Sequence, residues 1–240
     1  MKIFFKIFIY LIDLIHKKKI VNFLKKKLPN KSLRIIDVGA HHGETVKLFI
    51  KNFKIEKIFC YEASKINFLK LKENTLSLKN KKIDIKIFNL GIGESKKIVV
   101  FNQTSETSSS TFSKINFNSQ YFKKKNNILK FFFGKDYIDT SYPVEINTLN
   151  QEMTKNNLEI VDLLKIDTEG YEYEVIKGLN EKIRKVNFIY FEHHFDQMIL
   201  KNYTLRDVNK YLENAGFEKI FKLKMPFRRT FEYIYANRSF

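Results

Sequence analysis

Short apolar runs alternate with longer amphipathic segments over most of the chain. Five runs have the length and composition of buried strands, at residues 33–38, 57–61, 83–90, 161–166 and 187–191. Apolar positions at helical spacing occupy segments 44–52, 66–78, 170–179 and 204–215. This alternation predicts right-handed β-α-β units, and therefore a mostly parallel sheet with helices on both faces. Two last runs, 217–223 and 230–236, predict an antiparallel strand pair.

Acidic residues stand at the carboxyl ends of four predicted parallel strands: Asp37, Glu62, Asp167 and Glu192. Open sheets of this kind bind their ligands at that edge. Any one of these side chains could cap the helix that follows it, but four carboxylates at one edge exceed what capping requires. We therefore expect the functional site at the carboxyl edge of the sheet.

Residues 1–28 differ from the rest of the chain, because they contain eight lysines and a single acidic residue. Their apolar run, residues 1–15, is shorter than the stretch of about 20 residues that spans a bilayer. We predict a basic amphipathic helix over residues 1–30. This helix either docks on its own domain or a second subunit, or lies on an anionic membrane surface.

Residues 31–240 are predicted to form one domain, interrupted at residues 94–147. The interruption includes a serine- and threonine-rich stretch, 105–111, and the lysine run 123–125. A long polar insertion above the ligand-binding edge is typical of a lid or substrate loop. The alternative is a disordered excursion on the surface.

The net charge of +18 and the pI of about 9.7 suggest an anionic partner such as nucleic acid. Lysine supplies 38 of the 44 cationic side chains, whereas readers of nucleic acid depend strongly on arginine. We attribute most of this charge to biased composition and expect no nucleic-acid partner. The single cysteine, Cys60, excludes an internal disulfide, so we expect a cytoplasmic protein, with the inner membrane face as an alternative.

The loop after the first predicted strand suggests a nucleoside-bearing cofactor. Asp37, Gly39 and Gly43 form a D-x-G-x-x-x-G pattern that leads into a helix N-terminus, where amide groups favour an anionic group. His41 stands where the dinucleotide fingerprint has its second glycine. Glu62, at the end of the next strand, can accept both hydroxyls of a ribose. This combination favours S-adenosylmethionine over NAD.

Several segments, taken in order, resemble the FkbM-type S-adenosylmethionine-dependent methyltransferases. They are residues 36–40 (IDVGA), 61–63 (YEA), 89–93 (NLGIG), 108–110 (SSS), 147–149 (NTL) and 162–170 (DLLKIDTEG). The last segment, with Tyr171-Glu172 and residues 175–178, is the most specific. Two positions depart from the family pattern, which usually has Asn where His41 stands and Asp where Asn150 stands.

The resemblance implies a Rossmann-like, seven-stranded methyltransferase sheet and S-adenosylmethionine as cofactor. It places the following residues around the cofactor: Asp37, Gly39, His41, Gly43, Thr45, Glu62, Asn89, Leu90 and Gly91. Candidates for positioning the acceptor and removing its proton are Asp167, Glu169, His193 and His194. We predict no metal ion, because no ligand spacing demands one, although Asp167, Glu192 and a histidine leave a divalent ion open.

We expect an O-methyltransferase whose acceptor is a small molecule, a hydroxyl of a sugar, sugar phosphate or nucleotide sugar in surface-glycan biosynthesis. This acceptor class follows from the resemblance. Two alternatives stay open: an NAD-dependent oxidoreductase on a Rossmann sheet, and a non-enzymatic protein that binds an anionic surface. Membrane contact through residues 1–28 and a homo-oligomer also stay open as modes of association.

Overall fold

The structure is a computed structural model that describes residues 2–28, 30–78, 83–133 and 137–240. Its α-helices are α1 (Lys2–Lys27), α2 (Glu44–Asn52), α3 (Lys65–Leu76), α4 (Gln120–Phe133), α5 (Leu149–Lys155), α6 (Glu172–Lys177) and α7 (Leu205–Asn214). Its strands are β1 (Leu33–Val38), β2 (Ile55–Tyr61), β3 (Asp84–Phe88), β4 (Gly91–Ile92), β5 (Lys97–Thr104), β6 (Lys114–Ile115), β7 (Ile138–Asn147), β8 (Val161–Ile166), β9 (Val186–His194), β10 (Ile199–Leu200), β11 (Phe217–Lys224) and β12 (Thr230–Asn237).

The central sheet has seven strands in the order β11-β12-β9-β8-β1-β2-β3. The five strands from β9 to β3 are parallel, and β12 lies antiparallel to both β9 and β11. This confirms the predicted seven-stranded, mostly parallel sheet with an antiparallel C-terminal pair. The strand order reverses beside β1 and β8, which is where open α/β sheets bind ligands.

Both faces of the sheet are covered by helices, as predicted. Alternate residues of β1 point to opposite faces, so Ile35 packs with Leu24 of α1 and Phe49 of α2. Ile36, on the other face, packs in the cluster that contains Val175 of α6 and Leu212 of α7. Each such fully buried aliphatic side chain contributes about 1.5–3 kcal/mol to folding, so the two layers fix the sheet between them.

The N-terminal helix α1 packs on the sheet of its own domain. Ile20, Leu24 and Leu28 are buried in the same cluster as β1 and β2. His16 is 5% exposed and bonds through its Nε2 to the Glu232 carboxylate of β12. Within the described residues, no helix is long and apolar enough to cross a membrane.

The insertion at 94–147 is largely folded within its described residues. Strands β5 and β7 pair antiparallel, and β4 joins β7 to make a three-stranded sheet. Helix α4 follows β6, and β6 pairs with β10. These pairings lie outside the regular alternation of strands and helices, so they were not predicted from the sequence.

The loops after β1 and β8 approach each other at Gly39, whose φ of +79° is in the left-handed region. A β-carbon there would lie 1.9 Å from the carbonyl oxygen of Asp167. The Asp167 amide donates to the Val38 carbonyl, and the Gly39 amide donates to Tyr61, both at 2.9 Å. Only glycine therefore lets the two loops meet.

We predict that Gly39→Ala lowers the free energy of unfolding by about 3 kcal/mol or more, because it adds a backbone clash to an unfavourable φ. Urea denaturation followed by circular dichroism measures this loss. Gly216→Ala is the matched control, because Gly216 has a φ of +89° but its β-carbon would meet only Asn237, at 4.0 Å. For this control we expect the free energy of unfolding to fall by about 1–2 kcal/mol. Equal losses in the two variants would contradict the close-approach argument.

Candidate active site

A cavity of about 1160 Å³ opens at the carboxyl edge of the central sheet. Its walls come from the loops after β1, β2 and β8, the stretch 106–112, helix α1 and the β11–β12 turn. Eight residues predicted for the site line this cavity: Gly39, His41, Thr45, Glu62, Leu90, Gly91, Asp167 and Glu169. The other five lie outside the lining: Asp37, Gly43, Asn89, His193 and His194.

Glu62 is the fixed carboxylate at one end of the cavity. It is 5% exposed, and its Oε2 accepts the His41 amide at 2.7 Å while its Oε1 accepts the Ser64 amide at 2.8 Å. Burial raises the pKa of Glu62, and these two amide bonds oppose the rise. Each oxygen keeps a further lone pair, so the carboxylate can still accept hydroxyl groups from the cavity.

Asn89 supports this end of the cavity without reaching it. Its side-chain amide donates to the carbonyl oxygens of Glu62 at 2.9 Å and of Ala63 at 3.2 Å. The Leu90 amide also donates to the Glu62 carbonyl, at 3.2 Å. These bonds hold the turns after β2 and β3 together and bring Leu90 and Gly91 to the wall.

The helix N-terminus at the first loop is shaped by two unusual backbone positions. Gly43, the residue before α2, has a φ of +86°, and His41 has a φ of +48°. A left-handed conformation is uncommon outside glycine and costs free energy, which the contacts of this loop must offset. Thr45, in the first turn of α2, lines the cavity together with His41.

A buried lysine sits among carboxylates at the centre of the edge. Lys165 of β8 is 3% exposed, and its Nζ lies 2.6 Å from Asp167 Oδ2. Burial alone would raise the pKa of Asp167, but the Lys165 ammonium holds it below its usual value. Asp37 is the cross-strand neighbour of Lys165, is fully buried and has neither carboxyl oxygen hydrogen-bonded. Burial raises the pKa of Asp37 to about 7.

Glu192, at the end of β9, lines the cavity beside this group and is 8% exposed. Burial, with repulsion from Asp167 and Glu232, raises the pKa of Glu192 well above its usual value. Nearby, the Glu232 carboxylate accepts from the Tyr190 hydroxyl and bonds to His16 of α1. The N-terminal helix therefore supplies part of the wall at this end of the cavity.

The two adjacent histidines of β9 are held away from the cavity. His193 is buried beside Lys201, and burial followed by this neighbouring charge lowers its pKa to about 3. His194 lies 3.1 Å from a Glu169 carboxylate oxygen and 3.6 Å from one of Asp196. Although burial opposes it, these acids raise the pKa of His194 well above its usual value. Glu169 itself lines the cavity.

The cavity fits a cofactor that carries a nucleoside. Glu62 offers a carboxylate for vicinal hydroxyls, and the apolar side chains of Leu90, Ile92 and Phe112 line the same cavity. The carboxylate of Asp167, whose pKa is lowered by Lys165, adds negative charge that complements a sulfonium ion. Glu62, Leu90 and Gly91 would hold the nucleoside, and the loop at Gly39 and His41 would hold the amino-acid end.

Several side chains that line the cavity were not predicted from the sequence: His16, Lys165, Tyr190, Arg228 and Glu232. A signal for Lys165 was present, because a charged residue inside the apolar run 161–166 needs a partner. For His16 and Arg228 no local pattern exists, since α1 and the β11–β12 turn reach the cavity only through tertiary packing.

Comparisons with known proteins identify the family of the chain. The sequence profile described as the Methyltransferase FkbM domain matches residues 37–219. The 2-O-methyltransferase NoeI of Sinorhizobium fredii is 22% identical over 191 residues, which cover 80% of this chain and 74% of NoeI.

Two solved structures share the fold. The crystal structure of methyltransferase FkbM from Methylobacillus flagellatus KT has a TM-score of 0.58 at 15% identity, covering 85% of this chain and 43% of that one. The present chain thus spans less than half of that protein. Magnesium protoporphyrin IX methyltransferase from Synechocystis PCC 6803, solved with bound SAM, has a TM-score of 0.52 at 7% identity, covering 95% and 80% of the two chains. Because the family profile spans most of the sequence and the cavity fits the cofactor, the protein belongs to the FkbM family and is an S-adenosylmethionine-dependent methyltransferase.

Proposed function

We propose that the protein transfers the methyl group of S-adenosylmethionine to a sugar hydroxyl, on a sugar phosphate or nucleotide sugar of surface-glycan biosynthesis. The observation that carries this proposal is the polar wall next to Asp167, formed by His16, Tyr190, Glu192 and Glu232. Such a wall offers many hydrogen bonds to a polyol and few contacts to an apolar acceptor. The relative named a 2-O-methyltransferase supports a hydroxyl acceptor.

The phosphate of such an acceptor belongs at the mouth of the cavity. Carboxylates beside Asp167 would repel it from the reacting centre. Arg228, in the β11–β12 turn, also lines the cavity and can bind a phosphate with two parallel hydrogen bonds. Lys125, from the lysine run of the insertion, is instead paired with Glu106 at 2.9 Å. We therefore assign the phosphate to Arg228.

In this reaction, residues of the protein orient the acceptor and accept its proton. The bound cofactor supplies a methyl group that the sulfonium already activates for displacement. Asp167 is held ionised by Lys165 and can accept a hydrogen bond from the acceptor hydroxyl. Glu192 binds a proton more readily than Asp167, because its pKa is raised rather than lowered. We assign Glu192 as the general base and Asp167 as the orienting group.

The family assignment sets aside both alternatives left open by the sequence. A methyltransferase domain over residues 37–219 replaces the NAD-dependent oxidoreductase and the non-enzymatic binding protein. That the protein contacts a membrane surface peripherally, or forms a homo-oligomer, stays a proposal. Residues 16–28 of α1 are already engaged with the protein's own sheet through Ile20 and Leu24, so such contact would use the other side of the helix.

The direct test is methyl transfer to a panel of nucleotide sugars, sugar phosphates, free sugars and catechols. We expect at least one sugar to gain one methyl group by mass spectrometry, with nuclear magnetic resonance placing it on oxygen. Sugars that carry a phosphate should show the lower KM, and Arg228→Gln should remove that advantage. Transfer to catechols alone would overturn the proposed acceptor class while leaving the methyltransferase assignment intact.

Glu62→Gln should weaken S-adenosylhomocysteine binding about tenfold or more, because a hydrogen bond to a charged group contributes about 1.5–3 kcal/mol. Isothermal titration calorimetry measures the Kd. The matched control is Glu56→Gln on β2, the strand that precedes Glu62, where the side chain is 40% exposed and pairs with Arg34. If the two variants bind with the wild-type affinity, Glu62 does not hold the ribose.

Glu192→Gln should lower kcat for the accepted sugar by about 10²–10⁴-fold, because the general base is lost while its shape is kept. A base must be ionised, so wild-type kcat/KM should fall as the pH drops through the raised pKa of Glu192. That acidic limb should lie above the ordinary glutamate value of about 4.3 and disappear in the variant. The exposed Glu218→Gln is the control. If Glu192→Gln keeps both the wild-type kcat and the acidic limb of the kcat/KM profile, Glu192 is not the general base.

A further inference from the structure

The cavity is built partly from residues outside the matched family domain. Eight of its lining residues precede residue 37 or follow residue 219: Asp13, His16, Lys17, Ile20, Val21, Met225, Arg228 and Glu232. The residues assigned to the cofactor, from Gly39 to Gly91, all lie within that domain. The domain therefore holds the cofactor that its members share, and the outer segments add to the acceptor end.

Helix α1 contributes one continuous face to this cavity. Its lining residues recur at three- and four-residue spacing, which places side chains on one side of a helix. His16 bonds to Glu232 near the carboxyl edge of the sheet, where Glu232 lies opposite Glu192. Leu28, about three turns later, is buried in the same cluster as Leu33 at the start of β1. The path from His16 along α1 therefore leads from the carboxyl edge toward the opposite edge of the sheet.

Along this path the cavity wall changes from polar to apolar. Ile20 follows His16 by about one helical turn, a rise of about 6 Å. Helix α2 also leads away from the carboxyl edge, because it follows β1, and its apolar lining residues come after Thr45. Four apolar side chains of the two helices bound an apolar recess about one turn deep: Ile20, Val21, Leu48 and Phe49. Ile20 and Phe49 belong to one buried cluster, so the two helices face each other here.

Lys165 and Tyr190 of the sheet form the floor of the apolar recess. Tyr190 shares the buried cluster of Ile20 and Phe49, and the Lys165 ammonium lies 5.8 Å from the centre of the Tyr190 ring. Both residues line the cavity. The ammonium has three donors and gives one to Asp167, so it can also donate to a carbonyl oxygen that enters the recess. The recess thus offers apolar walls and a hydrogen-bond donor at its base.

We propose that the apolar recess binds a short acyl group of the acceptor, so that the preferred acceptor is an N-acyl amino sugar. This inference rests on the proposed function, because it requires a sugar acceptor. The ring hydroxyls meet the polar wall at His16 and Glu232. The acyl carbonyl meets Lys165, and the acyl chain packs on Ile20 and Val21. A sugar without the acyl group leaves the apolar walls in contact with water and binds more weakly.

The test compares N-acetylglucosamine 1-phosphate with glucose 1-phosphate, which lacks the acyl group. Both are titrated into the full chain with S-adenosylhomocysteine bound, by isothermal titration calorimetry. We expect the acylated sugar to bind about tenfold more tightly or better. Val21→Phe fills the recess and should reduce this ratio to about one, while its Kd for S-adenosylhomocysteine shows that the cofactor end is folded. Leu48→Phe, from the facing helix, should have the same effect.

The matched control is Val100→Phe, the same exchange on β5, where the side chain is 57% exposed and lies outside the cavity lining. It should keep the wild-type ratio. Equal affinities of the two sugars for the wild type, or no binding of either, would overturn the acyl site. A wild-type ratio in filled variants that still bind S-adenosylhomocysteine would do the same. If sugars without an acyl group are methylated in the acceptor panel, the proposed function stands even when the acyl site fails.

Discussion

The candidate site depends on one buried ion pair, between Lys165 and Asp167 at the end of β8. Taking an ammonium group out of water is costly, and only nearby carboxylates can offset that cost. Lys165 meets Asp167 at 2.6 Å and lies next to Asp37 across the sheet. The lysine keeps its charge in the interior because these acids raise its pKa against the effect of burial. The positive charge of Lys165 also offsets the repulsion between the carboxylates that lie close together around it.

The carboxylates around this pair differ in the direction in which their pKa values are shifted. Asp167 touches the ammonium, which lowers its pKa, whereas burial and repulsion from Asp167 and Glu232 raise the pKa of Glu192 well above its usual value. Glu232, which Tyr190 and His16 hold from two sides, is fixed in place by its hydrogen bonds. Similar groups thus gain different chemistry from their surroundings alone. This difference is the physical basis for the roles proposed for Asp167 and Glu192.

Periodicity and strand-end chemistry predicted the sheet, its helical layers and the edge that carries the site. These features depend on local patterns, so they can be read from the sequence. The small sheet of β4, β5 and β7 could not, because its strands lie in or beside the insertion, outside the regular alternation of strands and helices. The histidine pair shows the same limit. The sequence places His193 and His194 beside Glu192 at one strand end, whereas the contacts that hold them, with Lys201 and Glu169, form only in the folded chain.

Asp167 links the two ends of the cavity through three different groups. Its side chain is paired with Lys165, its amide donates to Val38, and its carbonyl leaves room only for glycine at position 39. In the proposed function, the first contact belongs to the acceptor end, and the other two fix the loop that begins the cofactor end. A displacement of this residue would therefore move both ends together. Methyl transfer requires donor and acceptor in line at close range, and a shared residue at the junction is the simplest way for a fold to keep that alignment.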